Sequence, residues 1–196
     1  MAPSRIVSAP HGYCTRASQT GRAPGKPGAG NRPKGCTIQT FLPYADFRLS
    51  AEVLDNSRLG KQRVETLQIM QVLTRHRTNP ETGAVEPFKP KGWRTHPAVL
   101  MWQGYEPALA AYQEAVCHVW TDRGFQDTCL PKTLGLLRAA GLIRAVELPP
   151  WLGDVELHRS HQSNLIRKRP ELYAELLPDV PDDLPYYWPV AVEREP

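Results

Sequence analysis

The sequence lacks any apolar run near the roughly 18 residues that a membrane-spanning helix needs. Its N-terminal region is basic but has no apolar stretch behind the basic residues, so we expect no secretory signal. Neither G-x-x-x-x-G-K-S/T nor G-x-G-x-x-G occurs, so nothing indicates nucleotide hydrolysis or dinucleotide binding. These absences predict a soluble, cytoplasmic protein with no membrane partner and no small-molecule cofactor.

The cysteines lack any C-x-x-C spacing: they are Cys14, Cys36, Cys117 and Cys129. Without an export signal, a chain of this length is not expected to depend on a disulfide framework. We therefore predict reduced thiols, with Cys117 buried on a helix.

Acidic residues are absent from Met1–Cys36, which carries six basic residues and so has a charge of +6. Residues 171–196 have the opposite character, with seven acids against Arg194 alone, or −6. Since the whole chain carries +4, residues 37–170 hold the remaining +4. A mildly basic domain with a basic arm fits a polyanionic partner.

The organisation of the chain follows from its composition. Residues 1–36 are rich in Gly, Pro, Ala and Arg and cannot bury enough surface to offset ordering entropy, so we predict a disordered basic arm. A folded domain is expected over residues 37–189 and a frayed acidic tail over 190–196. Periodicity, caps and glycines predict helices at 56–74, 96–103, 106–123, 132–140, 154–168 and 170–177. Residues 78–91 are predicted to be a loop, and the fold to be an all-α, compact helical bundle with long loops.

The first long helix is expected to carry Leu59, Leu67, Met70 and Leu73 as its apolar stripe. Arg58, Lys61 and Glu65 share the opposite face, and Arg63 projects to one side. One interpretation is a solvated face with an exposed Lys61–Glu65 pair. The other is a DNA site, in which arginines neutralise phosphates and a carboxylate assists proton transfer at a sugar.

Residues 157–170 form a second polar cluster, in which His158 and His161 share a helix face with Arg159, Arg167 and Lys168 nearby. We predict a basic, hydrogen-bonding surface for DNA. A metal site at His158 and His161 is an alternative, but H-x-x-H alone is weak and no third ligand follows from spacing, so no metal is predicted. His96, at a helix N-terminus, either caps that helix or lines a phosphate-binding cleft.

Four motifs in order, 39–44 (QTFLPY), 58–65 (RLGKQRVE), 96–102 (HPAVLMW) and 123–128 (RGFQDT), resemble the bacterial branch of the pyrimidine-dimer DNA glycosylases of the endonuclease V type. The resemblance covers about residues 39–189. It implies an all-α protein that repairs damaged double-stranded DNA and associates with the nucleoid when bound. It also implies glycosidic cleavage by the N-terminal α-amine, an imine intermediate and AP-lyase β-elimination. Glu65 matches the essential carboxylate, with Arg63 and Arg58 as phosphate-binding neighbours.

The chain departs from that family at its start, where residues 1–36 precede the domain. Three alternatives remain open for the amine. Translation starts internally at Ile38, Lys61 serves as the nucleophile one turn from Glu65, or the protein is a non-catalytic nucleic-acid-binding module. An α-amine titrates near about 8 and a lysine near about 10.4, so the α-amine is the easier one to deprotonate. A metal-dependent hydrolase that uses His158 and His161 is a further alternative class.

Overall fold

The computed structural model describes residues 38–190, so the expectations for the arm at 1–36 and for the tail beyond residue 190 lie outside the described residues. Seven helices and one small hairpin form in this part of the chain, which confirms the all-α fold. The elements are α1 (Phe47–Glu52), α2 (Asn56–Thr74), β1 (His76–Thr78), β2 (Val85–Pro87), α3 (Pro97–Leu100), α4 (Glu106–Asp122), α5 (Cys129–Ala139), α6 (Val155–Lys168) and α7 (Pro170–Leu176).

Helix α4 is the centre of the packing and contacts α1, α2 and α5. The sequence favours Leu109, Tyr112, Val116, Val119 and Trp120 for its core face; the first four are buried and Trp120 is partly buried. Gly124 follows the helix with a φ of 85°, the left-handed conformation that suits a glycine after a helix end. The sequence-based assignment of this helix is therefore confirmed.

Helix α2 covers the predicted residues 56–74, but its N-cap differs from Asn56 and Ser57, the two good capping residues at the start of the predicted helix. The side chain of Asp55 accepts hydrogen bonds from the backbone N–H groups of Ser57 and Arg58, so Asp55, and neither Asn56 nor Ser57, is the N-cap. The helix ends at Thr74, because Arg75 adopts a left-handed φ of 55°.

The predicted apolar stripe on α2 packs against the core, but it is not the sole buried face of this helix. Gln62, Arg63 and Thr66 are buried as well as Leu59, Leu67 and Met70, whereas Leu73 is only partly buried. The polar side chains are buried because other parts of the chain satisfy them; Gln62, for example, hydrogen-bonds to the backbone of Gln39 and Phe41. Helix α2 is thus covered on several sides and is not a simple surface helix.

The predicted loop at 78–91 contains a hairpin, in which β1 and β2 pair antiparallel with Arg77 opposite Glu86. Asn79 closes its turn by accepting hydrogen bonds from the N–H groups of Glu81 and Thr82, and Gly83 has a φ of 72°. The strands are three residues long, too short for an alternating pattern to be visible in the sequence.

Two further expectations concern cysteines and membranes. Cys117 and Cys129 are free and buried, as predicted, whereas Cys14 and Cys36 lie outside the described residues. No helix within residues 38–190 has the length and apolar character that a membrane crossing requires.

Candidate active site

Residues 39–43, here called the leading segment, lie along α2 and are held there by one glutamine. Gln62 Oε1 accepts the N–H of Phe41 at 2.9 Å and the hydroxyl of Tyr112 at 2.8 Å. Gln62 Nε2 donates to the carbonyl of Gln39 at 3.0 Å and to Glu65 Oε2 at 2.9 Å. All four hydrogen-bonding positions of the amide are therefore used. This fixes the leading segment and Glu65 relative to each other.

Helix α6 holds the same segment from another element of the fold. His158 Nδ1 donates to the carbonyl of Leu42 at 2.7 Å, and the N–H of Leu42 donates to His161 Nδ1 at 2.8 Å. Gln162 Nε2 donates to the carbonyl of Pro43 at 2.8 Å. Three side chains of one helix thus bind one short stretch of backbone.

Glu65 lies half-buried where these contacts converge. Burial is the main effect on its carboxyl group and raises the pKa of Glu65 to about 7. The nearby charges of Lys61 and Lys168 and the hydrogen bonds from the Gln39 N–H and from Gln62 act in the opposite direction on that pKa. A carboxyl group that titrates near neutral pH can both give and take a proton under physiological conditions.

Two predicted basic residues lie at this carboxyl group. Lys61 is exposed one helical turn before Glu65, and Lys168 is exposed at the end of α6. Because both charges act on the Glu65 carboxyl, the structure brings Lys61, Glu65 and Lys168 together across two helices. This cluster combines an acid–base group with cations that suit a phosphate-bearing substrate.

The two predicted phosphate-binding arginines of α2 lie elsewhere, engaged with other side chains. Arg63 is 9% exposed; its Nε donates to Asp127 at 2.7 Å, and its guanidinium lies 4.7 Å from the ring of Trp120. Arg58 pairs with Asp55 at 2.6 Å and lies 5.5 Å from the ring of Tyr173. Both guanidinium groups therefore have internal structural partners.

His96 is the N-cap of α3, where its Nδ1 accepts the N–H of Ala98 at 3.2 Å. Its ring also packs edge-on against Trp188, with the ring centroids 5.9 Å apart, and burial lowers the pKa of His96. Of the two roles that the sequence left open, the geometry supplies the capping contact.

Arg159 and Arg167 lie on α6 and contact the chain that follows α7. Arg159 donates to the carbonyl of Asp179 at 3.2 Å, and Arg167 donates to the carbonyl of Leu184 at 2.7 Å. Arg167 is exposed beside Lys168, so the end of α6 presents two adjacent cations at the surface.

The contacts of the histidine pair, His158 and His161, do not favour metal binding. His158 uses both ring nitrogens, since its Nδ1 donates to Leu42 and its Nε2 accepts the N–H of Gly153 at 3.0 Å. Within residues 38–190, no group of three or more His, Cys, Asp or Glu side chains is placed to hold a metal ion.

Sequence reasoning missed two polar residues of the site, Gln62 and Tyr186. Gln62 stands within the 58–65 motif, between the two residues that were assigned chemistry. Tyr186 was expected only to pack, yet its hydroxyl accepts a hydrogen bond from Gln39 Nε2, and its ring stacks on His161 with centroids 4.9 Å apart. No local signal marks Tyr186, because Gln39 is 147 residues away in the sequence.

Helices α2 and α6 thus place the half-buried carboxyl group of Glu65 near two surface lysines, Lys61 and Lys168. The family model described as pyrimidine dimer DNA glycosylase matches residues 38–133, which include Lys61, Gln62 and Glu65. This match relates the chain to the pyrimidine dimer DNA glycosylases and supports a role in DNA repair with a DNA substrate. Helix α6 lies beyond the matched segment. Comparison with curated proteins and with solved structures gave no match.

Proposed function

We propose that the protein is a pyrimidine-dimer DNA glycosylase with AP-lyase activity, in which Glu65 is the acid–base group. The observation that supports this most is the position of Glu65, half-buried on α2 and beside both Lys61 and Lys168. The family supplies the substrate class, damaged DNA, and the site supplies a group that can exchange protons near pH 7.

In the proposed reaction an unprotonated amine of the protein attacks C1′ of the damaged nucleotide. The new N–C1′ bond forms as the glycosidic bond breaks, and the base leaves with the electron pair and takes up a proton. Loss of the amine proton and protonation of the ring oxygen open the sugar to an imine. Removal of a C2′ proton then expels the 3′ phosphate by β-elimination. Glu65 is placed to move these protons and to stabilise the cationic sugar.

For the amine we favour the α-amine of a chain that starts at Ile38, with Lys61 as the alternative. The backbone N–H of Gln39 is a hydrogen-bond donor to the Glu65 carboxyl, so an amine at residue 38 would be one residue from it. Lys61 is also near Glu65, but it is exposed to solvent. An α-amine is also the easier of the two to deprotonate at neutral pH.

Borohydride trapping on duplex DNA with a cyclobutane thymine dimer tests the proposal, because only an imine is reduced to a stable protein–DNA adduct. We expect an adduct from a chain that starts at Ile38, and the same adduct when Lys61 is changed to arginine. Loss of the adduct in Lys61→Arg would identify Lys61 as the amine. Binding without any adduct, from the full chain and the shorter one alike, would favour a non-catalytic module.

We also expect the basic residues of α6 to contact phosphates. Changing Arg159, Arg167 or Lys168 to alanine should weaken binding to all duplexes alike and reduce the slope of log K against log salt by about 0.9 for each lost contact. Arg48→Ala is the control, because Arg48 is already paired with Glu52 and Asp122 and should leave the slope unchanged. Unaltered slopes in all three α6 variants would place the DNA on another face.

A further inference from the structure

We propose that His158 and His161 are positioning residues of this site, which clamp the peptide of Leu42 and thereby hold the Gln39 N–H against the Glu65 carboxyl. The inference deepens the proposed function and rests on it, although one of its tests does not need activity. It gives the α6 histidines a role other than the DNA contact that the sequence predicts. The role also differs from that of metal ligand, which was the alternative interpretation.

The two imidazoles take opposite hydrogen-bonding roles on one stretch of backbone. His158 Nε2 accepts the N–H of Gly153 at 3.0 Å, so its proton is on Nδ1, which donates to the carbonyl of Leu42 at 2.7 Å. His161 Nδ1 accepts the N–H of Leu42 at 2.8 Å, so the proton of a neutral His161 ring is on Nε2. The pair therefore fixes both the position and the direction of the chain at Leu42.

The surroundings of His161 indicate that a histidine is needed at this position because its Nδ1 accepts the N–H of Leu42. The side chain is 0% exposed, and its Nε2 has no hydrogen-bond partner within residues 38–190. A buried polar atom without a partner costs about 1–3 kcal/mol, a cost that a phenylalanine would not incur. The ring also stacks on Tyr186 and faces Phe41 edge-on, contacts that a phenylalanine would reproduce. Only the bond to Leu42 requires a nitrogen.

A short, fully bonded path leads from the clamp to the carboxyl group. Leu42 is held by the histidines, Phe41 and Gln39 are held by Gln62, and the Gln39 N–H donates to Glu65. The charged or titratable groups near Glu65 are Lys61 from α2, Lys168 from α6, Tyr112 from α4 and Tyr186. His161→Phe keeps the ring that stacks on Tyr186 and does not alter Lys61, Lys168 or Tyr112, so a change at Glu65 in that variant reports the leading segment.

The ring of His161 does not change its protonation state in the working range. Burial, followed by the nearby His158, lowers the pKa of His161 to about 3, so its ring stays neutral at and above pH 5. A pH effect near neutrality that differs between wild type and a His161 variant therefore does not come from the His161 ring. Losing the Gln39 hydrogen bond should raise the pKa of Glu65 further, because that bond favours the ionised form.

The test compares His161→Phe with His161→Asn in the full-length chain and in one that starts at Ile38. Asparagine Oδ1 can accept the Leu42 N–H in place of Nδ1, whereas phenylalanine keeps the ring but has no acceptor. In single-turnover incision of thymine-dimer DNA, we expect His161→Phe to be slower by roughly tenfold or more, the scale of a displaced catalytic group. Its DNA affinity should stay within about twofold, the inflection in its pH–rate profile should move upward, and His161→Asn should recover most of the rate.

The second readout is the titration of the Glu65 carboxyl, followed by carbon-13 NMR. We expect a higher midpoint in His161→Phe than in wild type and a nearly normal one in His161→Asn. Leu136→Ala, a core change in α5 that leaves the leading segment alone, controls for general destabilisation. His158→Asn, which keeps a donor, and His158→Leu, which does not, repeat the comparison from the other imidazole and serve if His161→Phe fails to fold.

The outcomes separate the two proposals. A wild-type protein that does not incise thymine-dimer DNA contradicts the proposed function, while the NMR titration still tests the clamp. Wild-type titration in His161→Phe and His158→Leu would overturn the positioning role even if the enzyme is active. An equal rate loss in His161→Phe and His161→Asn would overturn it too, because the nitrogen acceptor would then be irrelevant.

Discussion

Glu65→Gln is expected to slow incision of dimer-containing DNA by about 100-fold or more while keeping most of the DNA affinity. Glutamine has nearly the same shape and helix propensity, and its Oε1 can still accept a hydrogen bond from Gln62 or Gln39. It cannot exchange a proton or place negative charge beside a cationic sugar, and lost acid–base assistance typically costs 10²–10⁴-fold.

The pH dependence makes this expectation specific. Because burial raises the pKa of Glu65 to about 7, the wild-type rate should change slope near that pH, and the inflection should be absent in Glu65→Gln. Glu114→Gln, an exposed change on α4, is the matched control and should leave both rate and profile alone. Incision at the wild-type rate by Glu65→Gln would remove Glu65 from the mechanism.

Asp127→Ala is expected to lower the free energy of unfolding by about 3–5 kcal/mol, the usual cost of leaving a buried charge unpaired. Asp127 is the ion-pair partner of the buried Arg63 at 2.7 Å. Its carboxyl group also accepts the N–H groups of Cys129 and Leu130 at the start of α5. For a domain of this size, such a loss lowers Tm by roughly 10 °C.

Asp127→Asn separates the two contributions, since the amide oxygen can still accept at the start of α5 but no longer balances the charge of Arg63. Although burial acts against it, hydrogen bonds from Leu130, Arg63 and Cys129 lower the pKa of Asp127. A carboxyl group whose pKa is lowered by folding stabilises the fold at pH values above its pKa in the unfolded chain, about 3.9 for an aspartate. This stabilisation is lost as the pH falls through the pKa of the folded state. Urea unfolding at pH 7 should therefore show the full difference. A change below about 1 kcal/mol in Asp127→Ala would mean that Arg63 finds other compensation.

Six of the seven helices within residues 38–190 were predictable because their signals are local, whereas α1 was not predicted. An aspartate before α6, a proline in the first turn of α3 and glycines after α4 and α5 each act within a few residues. The hairpin was missed because three-residue strands leave no periodicity. The burial of Arg63 was missed because its partners, Trp120 and Asp127, lie about 60 residues further along the chain.

The candidate site was predictable only in part. Glu65 was selected through the family motif, and Lys61 by its spacing on the same helix. A helical-wheel argument made Glu65 an exposed residue, and it could not foresee that residues 39–43 would cover this face. The roles of Gln62 and the α6 histidines could not be predicted either, because a hydrogen bond from a side chain to a distant part of the backbone leaves no pattern in the sequence.

The leading segment also has a consequence for the order in which the protein acquires its site during synthesis. Leu42 finds its partners 116 and 119 residues later, and Gln39 finds Tyr186 147 residues later. Helices α1, α2, α4 and α5 can pack while the ribosome is still making α6, because their contacts are closer in sequence. Glu65 acquires its complete surroundings only after Tyr186 has emerged. A partly synthesised chain therefore has most of its helical scaffold before it has a finished site, and the surroundings of Glu65 are among the last parts of residues 38–190 to form.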